Sequence, residues 1–310
     1  MDKSALSHEI ALGDKNYPEC LQELSNPPKK LYVVGNPEIL NQESISIIGS
    51  RKATPYGKAC AELTARVAVE SSLVVVSGGA IGCDQTAGLA TLEAGGKHIL
   101  VAGCGAHAIY PASSSYLFDE TIRAGGCVVS LEGWNNPPRR YAFPKRNKVI
   151  AALSRALIIC EAGMPSGTFS TAETAQMLDR EILCFPGSIL SFLSKGTNYL
   201  ISEGATCIAD QDSLEMAISR IYSKLRFERQ DACGVVLENH VHQQVLSALI
   251  ANPMRAEDIA HMLGEKIIKT LEIIGEMKID GLIEETRDGK LSASQQVLEM
   301  YTSFGRYDVQ

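Results

Sequence analysis

No stretch of this sequence approaches the roughly 20 consecutive apolar residues that a membrane-spanning helix needs. Its opening residues, MDKSALSHEI, lack the basic start and apolar core of a secretory signal. Neither export nor membrane insertion is therefore expected, and the cytoplasm is the expected compartment. The nine cysteines never fall into a C-x-x-C spacing, and several lie in apolar runs such as ALIIC and ILCF. That pattern suits buried, reduced thiols and argues against a zinc site or a disulfide framework. The six histidines (His8, His98, His107, His240, His242 and His261) are scattered and avoid the glycine-rich segments. Without a nucleophile–base pair or a metal-ligating cluster, no catalytic residue, metal or cofactor is expected. Internal repeats and low-complexity segments are missing too. Positive charge is in deficit: 29 Lys and Arg against 36 Asp and Glu leave a formal net charge of −7. Such a molecule repels phosphate at long range, so any binding of nucleic acid must come from local clustering of cations.

What is present is an ordinary apolar budget, 45% of 310 residues, enough for one large domain and a small appendage. Short β-branched runs recur at 45–48, 73–76, 98–102, 127–131, 156–160, 182–185 and 206–209. Helical spacing of apolar residues fills 56–71, 84–93 and 169–179 between them. This alternation predicts an α/β fold with a parallel sheet covered on both faces. Residues 1–43 read as a lead-in with an extra strand at 31–34, and 44–225 as the sheet domain. A polar linker is expected at 226–240. Beyond it, 241–310 offers helices at 242–251, 255–263 and 266–281, then a hairpin over 282–293 turning at Arg287-Asp288-Gly289-Lys290. Three helices and a hairpin predict a small C-terminal winged-helix domain.

Five segments at strand ends could carry chemistry, because ligands of open α/β sheets bind at the carboxyl ends of the strands. Gly49-Ser50-Arg51-Lys52 follows a strand and precedes a helix, where outward backbone amides and the Arg51 fork suit a phosphate. An ordinary tight turn with solvated cations would look the same. Ser77-Gly78-Gly79-Ala80-Ile81-Gly82 is either a second phosphate-facing loop or a site of close helix-to-strand packing. Its spacing is not the dinucleotide fingerprint G-x-G-x-x-G. Most informative is Arg139-Arg140-Tyr141-Ala142-Phe143-Pro144-Lys145-Arg146-Asn147-Lys148. From Gly133 to Cys160 the chain carries six basic residues and no acidic one. Cations interleaved with Tyr141 and Phe143 suit a groove that tracks a backbone and stacks bases; a solvated helix start with core aromatics is the alternative. In the segment running from Pro165 to Glu173, Ser166, Gly167 and Thr168 could cradle a phosphate, while Ser170 and Glu173 could form a capping box. Ser194-Lys195-Gly196-Thr197-Asn198 is a weaker signal of the same kind.

Together, ISIIGSRKATPYGKACAE, VVVSGGAIGCDQTAG, ILVAGCGAHAIYP, AFPKRNKVIAALSRALIICEA, SGTFSTAETA and FPGSILSFLSKGTNYLISEGA resemble the DNA-processing protein A (DprA/Smf) family over about residues 15–220. The resemblance implies an extended Rossmann-like domain that binds single-stranded DNA in a positive pocket, with no cofactor and no catalysis. It further implies a homodimer that passes DNA to the RecA recombinase during natural transformation or recombination. By position, Ser50, Arg51, Lys145, Arg146, Asn147, Ser166, Gly167, Lys195 and Asn198 would contact DNA. Two departures stand out. The family usually has Arg-Gly-x-Asp where this chain has Ile81-Gly82-Cys83-Asp84, which removes one cation. It also commonly opens with a helical domain, for which the lead-in leaves no room. The segment from Val241 to Ala293 carries six Lys or Arg and nine Asp or Glu, which suits protein contact better than duplex DNA. The competing reading is a nucleotide-hydrolysing enzyme, because Gly167 and Thr171-Ala172-Glu173 partly echo the PGGxGTxxE signature of nucleotide phosphoribohydrolases, with Glu173 as the acid.

Overall fold

A computed structural model describes residues 6–223, 239–286 and 288–298. The apolar runs become strands of one nine-stranded sheet ordered β1-β2-β6-β5-β4-β3-β7-β8-β9. In chain order these are β1 (Ser7–Ala11), β2 (Lys30–Gly35), β3 (Ser44–Ile48), β4 (Val74–Ser77), β5 (His98–Ala102), β6 (Cys127–Ser130), β7 (Ala156–Ile159), β8 (Glu181–Cys184) and β9 (Thr206–Cys207). From β6 across to β9 every pairing is parallel. The lead-in adds two strands instead of one, both antiparallel to their neighbours. The α/β architecture expected from the alternation, Rossmann-like as the resemblance implies, is the one observed.

The central strands are buried on both faces, and alternate residues feed different cores, as a pleat of period two requires. Ile45 and Ile47 of β3 pack with Val75, Ala156 and Ile158. That side is covered by α1 (Pro55–Glu70), α2 (Cys83–Glu93) and α7 (Gln211–Tyr222), and α3 (Ser115–Arg123) continues it over β5 and β6. Ile48, Val76, Leu157 and Ile159 face the other way, under α4 (Ala142–Leu153) and α5 (Thr168–Met177), with Leu21, Leu31 and Ile39 of the lead-in. Helix α4 is pinned to the sheet by hydroxyls: Ser46 donates to the Ile150 carbonyl at 2.7 Å and Ser154 to Ser46 at 2.7 Å. At the start of β5, His98 is buried between Ser77 and Thr121, each 2.9 Å away, and burial holds its pKa down to about 3.

After α6 (Lys195–Ser202), β9 and α7, the expected linker lies almost wholly outside the described residues. The C-terminal part forms α8 (His240–Ala251), α9 (Ala256–Leu263), α10 (Ile267–Ile279) and a two-stranded antiparallel ribbon, β10 (Ile283–Glu285) and β11 (Leu291–Ala293). Its own core, built on Leu246, Leu249, Ile259, Ile274 and Met277, reaches α1 through Ala59 and Tyr56.

Candidate functional site

The strand order reverses between β3 and β7: the chain winds outward from β3 through β4, β5 and β6, then returns on the other side at β7. At such a switch point the loops leaving the two strands diverge and open a crevice. Here the crevice, about 420 Å3, is walled by Gly49, Ser50, Arg51 and Lys52 after β3 and by Ser166, Gly167 and Thr168 after β7. Helix α4 contributes Arg146 and Asn147. Ala80 comes from the loop after β4, and Thr171 lies one turn into α5. The β3 loop, the basic segment and the β7 loop, distant in sequence, therefore meet in one place.

Arg51 projects from a loop shaped by local hydrogen bonds. The Ser50 hydroxyl accepts from the Lys52 amide at 3.1 Å, and the Ser50 carbonyl accepts from the Cys83 amide at 3.2 Å. Gly82 has φ +95°, and a Cβ there would collide with the Ser50 carbonyl, so glycine is what lets α2 start against this loop. The Arg51 guanidinium stands 5.6 Å from the centre of the Phe143 ring, which it shares with Arg146 at 5.8 Å. Tyr110 leans on the same ring with centroids 5.8 Å apart and is itself 46% exposed.

Arg146 forms part of the crevice floor. Its side chain is 6% exposed and faces Asp84, 8% exposed, with 3.8 Å between nitrogen and oxygen. Burial lowers the Arg146 pKa and Asp84 opposes that fall; burial raises the Asp84 pKa, against the pull of Arg146 and the amides of Gly78 and Gly49. The guanidinium lies against Gly78, where any Cβ would overlap it. Gly78 and Gly79 accordingly sit beneath the floor: the Gly78 amide donates to Asp84 at 3.0 Å, and Gly79 packs on Leu100. With Asp84 offsetting Arg146, the excess positive charge of the crevice resides on Arg51 and Lys52.

Two local expectations need correction. The Gly49–Lys52 turn is not itself a helix start, because α1 begins at Pro55 behind its N-cap Thr54. The Gly49 amide points inward to Asp84 at 3.3 Å instead of outward. The acid at the α1 N-terminus is internal: Glu161, buried after β7, accepts from the Thr54 amide at 2.8 Å and the Thr54 hydroxyl at 2.7 Å. Burial raises its pKa to about 7 despite those two donors. The capping box of Ser170 and Glu173 is also absent. Helix α5 starts at Thr168 with Gly167 as N-cap, so Ser170 lies one turn in and donates to the Gly167 carbonyl at 2.9 Å. Glu173 is exposed and is not part of the crevice wall. The first turn of α5 borders the crevice, its Thr168 amide donating to the Ser166 hydroxyl and its Phe169 amide to the Ser166 carbonyl, both at 3.2 Å, and a Cβ on Gly167 would meet nothing.

Three expected contacts lie elsewhere. Lys145 is exposed on the outer side of α4, its ammonium 5.1 Å from the Tyr141 ring. Asn198 spends its amide on Gly187, accepting from its N–H at 3.0 Å and donating to its carbonyl at 2.8 Å, which shapes the loop after β8. Lys195 is exposed at the start of α6 and, like Lys145, does not line the crevice. The roles of Asp84, visible only as the acid of Ile81-Gly82-Cys83-Asp84, and of Glu161 are not legible in the sequence, because a buried carboxylate is recognised only from its spatial partner. Their sole sequence signal was membership of the matching segments.

Comparison with known proteins adds an independent finding. Residues 8–219 match the family described as DNA recombination-mediator protein A. The DNA processing protein DprA of Streptococcus pneumoniae is 38% identical over 202 residues, 65% of this chain and 71% of that one. Protein Smf of Escherichia coli is 31% identical over 207 residues, 67% of this chain but only 55% of its own length. Among solved structures, pneumococcal DprA superposes with a TM-score of 0.63 at 33% identity, covering 72% of this chain and 75% of its own. DprA of Helicobacter pylori, whose structure is described in terms of its single-stranded DNA binding mode, gives 0.63 at 30% identity, covering 69% of this chain and 97% of its own.

Proposed function

The chain belongs to the DNA recombination-mediator protein A family, and we propose that it binds single-stranded DNA in the crevice between the β3 and β7 loops. One observation carries the reading. In a molecule of net charge −7, Arg51, Lys52, Asn147, Ser166, the bare backbone of Gly167 and the first turn of α5 converge at the switch point of the sheet. Cations and a helix N-terminus favour a sugar–phosphate strand there without reading sequence. Phe143, half-buried beside Tyr110, offers a face for a base next to the backbone track. Arg146 acts from the floor, its positive charge held in place by Asp84 and its flank by Phe143.

The described binding of single-stranded DNA by the Helicobacter pylori relative supports the assignment. We extend it to a non-catalytic, cytoplasmic homodimer that needs neither metal nor nucleotide and delivers its strand to a RecA-type recombinase in DNA uptake or recombination. The position of Glu173 outside the crevice wall supports the DNA-binding reading over the nucleotide-hydrolase one. Fluorescence anisotropy of labelled oligo-dT, in EDTA and without nucleotide, tests the proposal. Saturable binding with no release of free base from nucleoside monophosphates is the expected result. Absence of oligo-dT binding, or base release that depends on Glu173, refutes it.

A further inference from the structure

Arg51 and Lys52 also line a second, larger cleft of about 620 Å3. On their side it is walled by Lys58 and by Ile81, which is 40% exposed. The C-terminal ribbon lines the cleft as well, with Glu284, Glu285 and Asp288, and Lys290 is the only cation among the ribbon residues described there. Two of these acids have local partners. Glu285 meets the Lys278 ammonium at 2.7 Å, but both side chains are largely exposed, and such a pair cancels little of the field. Asp288 accepts from the Thr286 hydroxyl, which favours its ionised form, and the nearby Lys290 and Arg255 act in the same direction more weakly. A basic stretch and an acidic stretch thus line one cleft that begins at the two cations of the crevice.

That arrangement treats one phosphate backbone and two backbones differently. A single strand can lay its phosphates along Arg51, Lys52 and Lys58 and turn its uncharged bases towards the ribbon. A duplex carries twice the charge per unit length, and its second backbone follows the first. The complementary strand's phosphates would then approach Glu284, Glu285 and Asp288, and juxtaposed like charges suppress the wrong partner even where the attractive contacts are equal. We propose that the acidic face of the ribbon is the strand-selectivity element of this protein, admitting single-stranded DNA to Arg51 and Lys52 and rejecting duplex. The inference rests on the single-strand reading of the crevice. It also gives the acidic C-terminal part a role in binding that does not require it to touch DNA.

The test uses the full chain, a labelled oligo-dT and a labelled duplex of equal length. Three proteins are compared: wild type, E284Q/E285Q/D288N, and E257Q/E272Q/D280N. The last removes the same net charge from the same part of the molecule, outside the cleft. Duplex affinity of the ribbon variant should rise about tenfold while its oligo-dT affinity changes by less than about threefold, and the control should shift both ligands alike. Retained oligo-dT binding reports that the ribbon variant is folded; if it is not, E284Q alone carries the same prediction at smaller amplitude. An equal shift for both ligands, or an unchanged duplex affinity, overturns the inference while leaving the crevice reading standing. Failure of the wild type to bind oligo-dT overturns both.

Discussion

Arg146 is a cation almost wholly withdrawn from water at the floor of the crevice, and that position fixes what it can do. Removing one partner of a buried pair strands the other charge, so Arg146→Met should destabilise the fold by about 3 kcal/mol in urea unfolding. Adding Asp84→Asn in the same chain should recover most of the loss, because two apolar or neutral groups of similar shape tolerate burial. If the single and double variants unfold together, the pair is not the floor of the site. Arg51 is the opposite case, a cation on the crevice wall whose loss should leave stability nearly unchanged. Ile81 offers a gain of function. The family usually places arginine there, and the residue is exposed in the cleft beside Arg51. Ile81→Arg should tighten oligo-dT binding and steepen its salt dependence by about 0.7 per additional phosphate neutralised; a flat response would show that strands do not pass this position.

At the scale of elements, the start of α1 couples the sheet to pH. Glu161 has a folded pKa near 7 against an ordinary 4.5, so the folded state holds its proton more tightly than the unfolded chain. Below about pH 4.5 both states are protonated and nothing is lost. Between there and pH 7 only the unfolded state ionises, so stability falls as pH rises, with a slope approaching 1.4 kcal/mol per unit, of order, and then levels off. Urea midpoints of Glu161→Gln should fall less than those of the wild type between pH 5 and pH 7.5; parallel profiles would refute this origin. The elements themselves were unevenly legible. Strands β3 to β7 stand out as apolar, largely β-branched runs because they are buried on both faces. Strand β1, SHEIA, buries only Ile10 and so carries no such run. Helix α4 was visible as a cluster of cations, but its pinning to β3 through Ser46 and Ser154 was not, and that pinning aims Arg146 and Asn147 at the crevice while leaving Lys145 outside. The gathering of Arg51, Asn147 and Ser166 followed from the rule that ligands bind at the carboxyl ends of the strands; the switch point, the Asp84–Arg146 floor and the true start of α5 required coordinates, because each depends on what faces it in space.

For the whole molecule the decisive quantity is the contrast between a net charge of −7 and a crevice whose unpaired charges are positive. Long-range repulsion and local attraction make binding weak to arrive and specific in place, and both respond to salt. The C-terminal part sharpens the contrast by presenting carboxylates in the neighbouring cleft. The central claim is that the loops after β3 and β7 form one phosphate-binding track with Arg51 at its wall. Oligo-dT affinity measured across a series of salt concentrations for the wild type and Arg51→Ala, side by side, tests it most directly. The account predicts a linear fall of log affinity with log salt, and a slope shallower by about 0.7 in the variant. Identical slopes and affinities in the two proteins would contradict it.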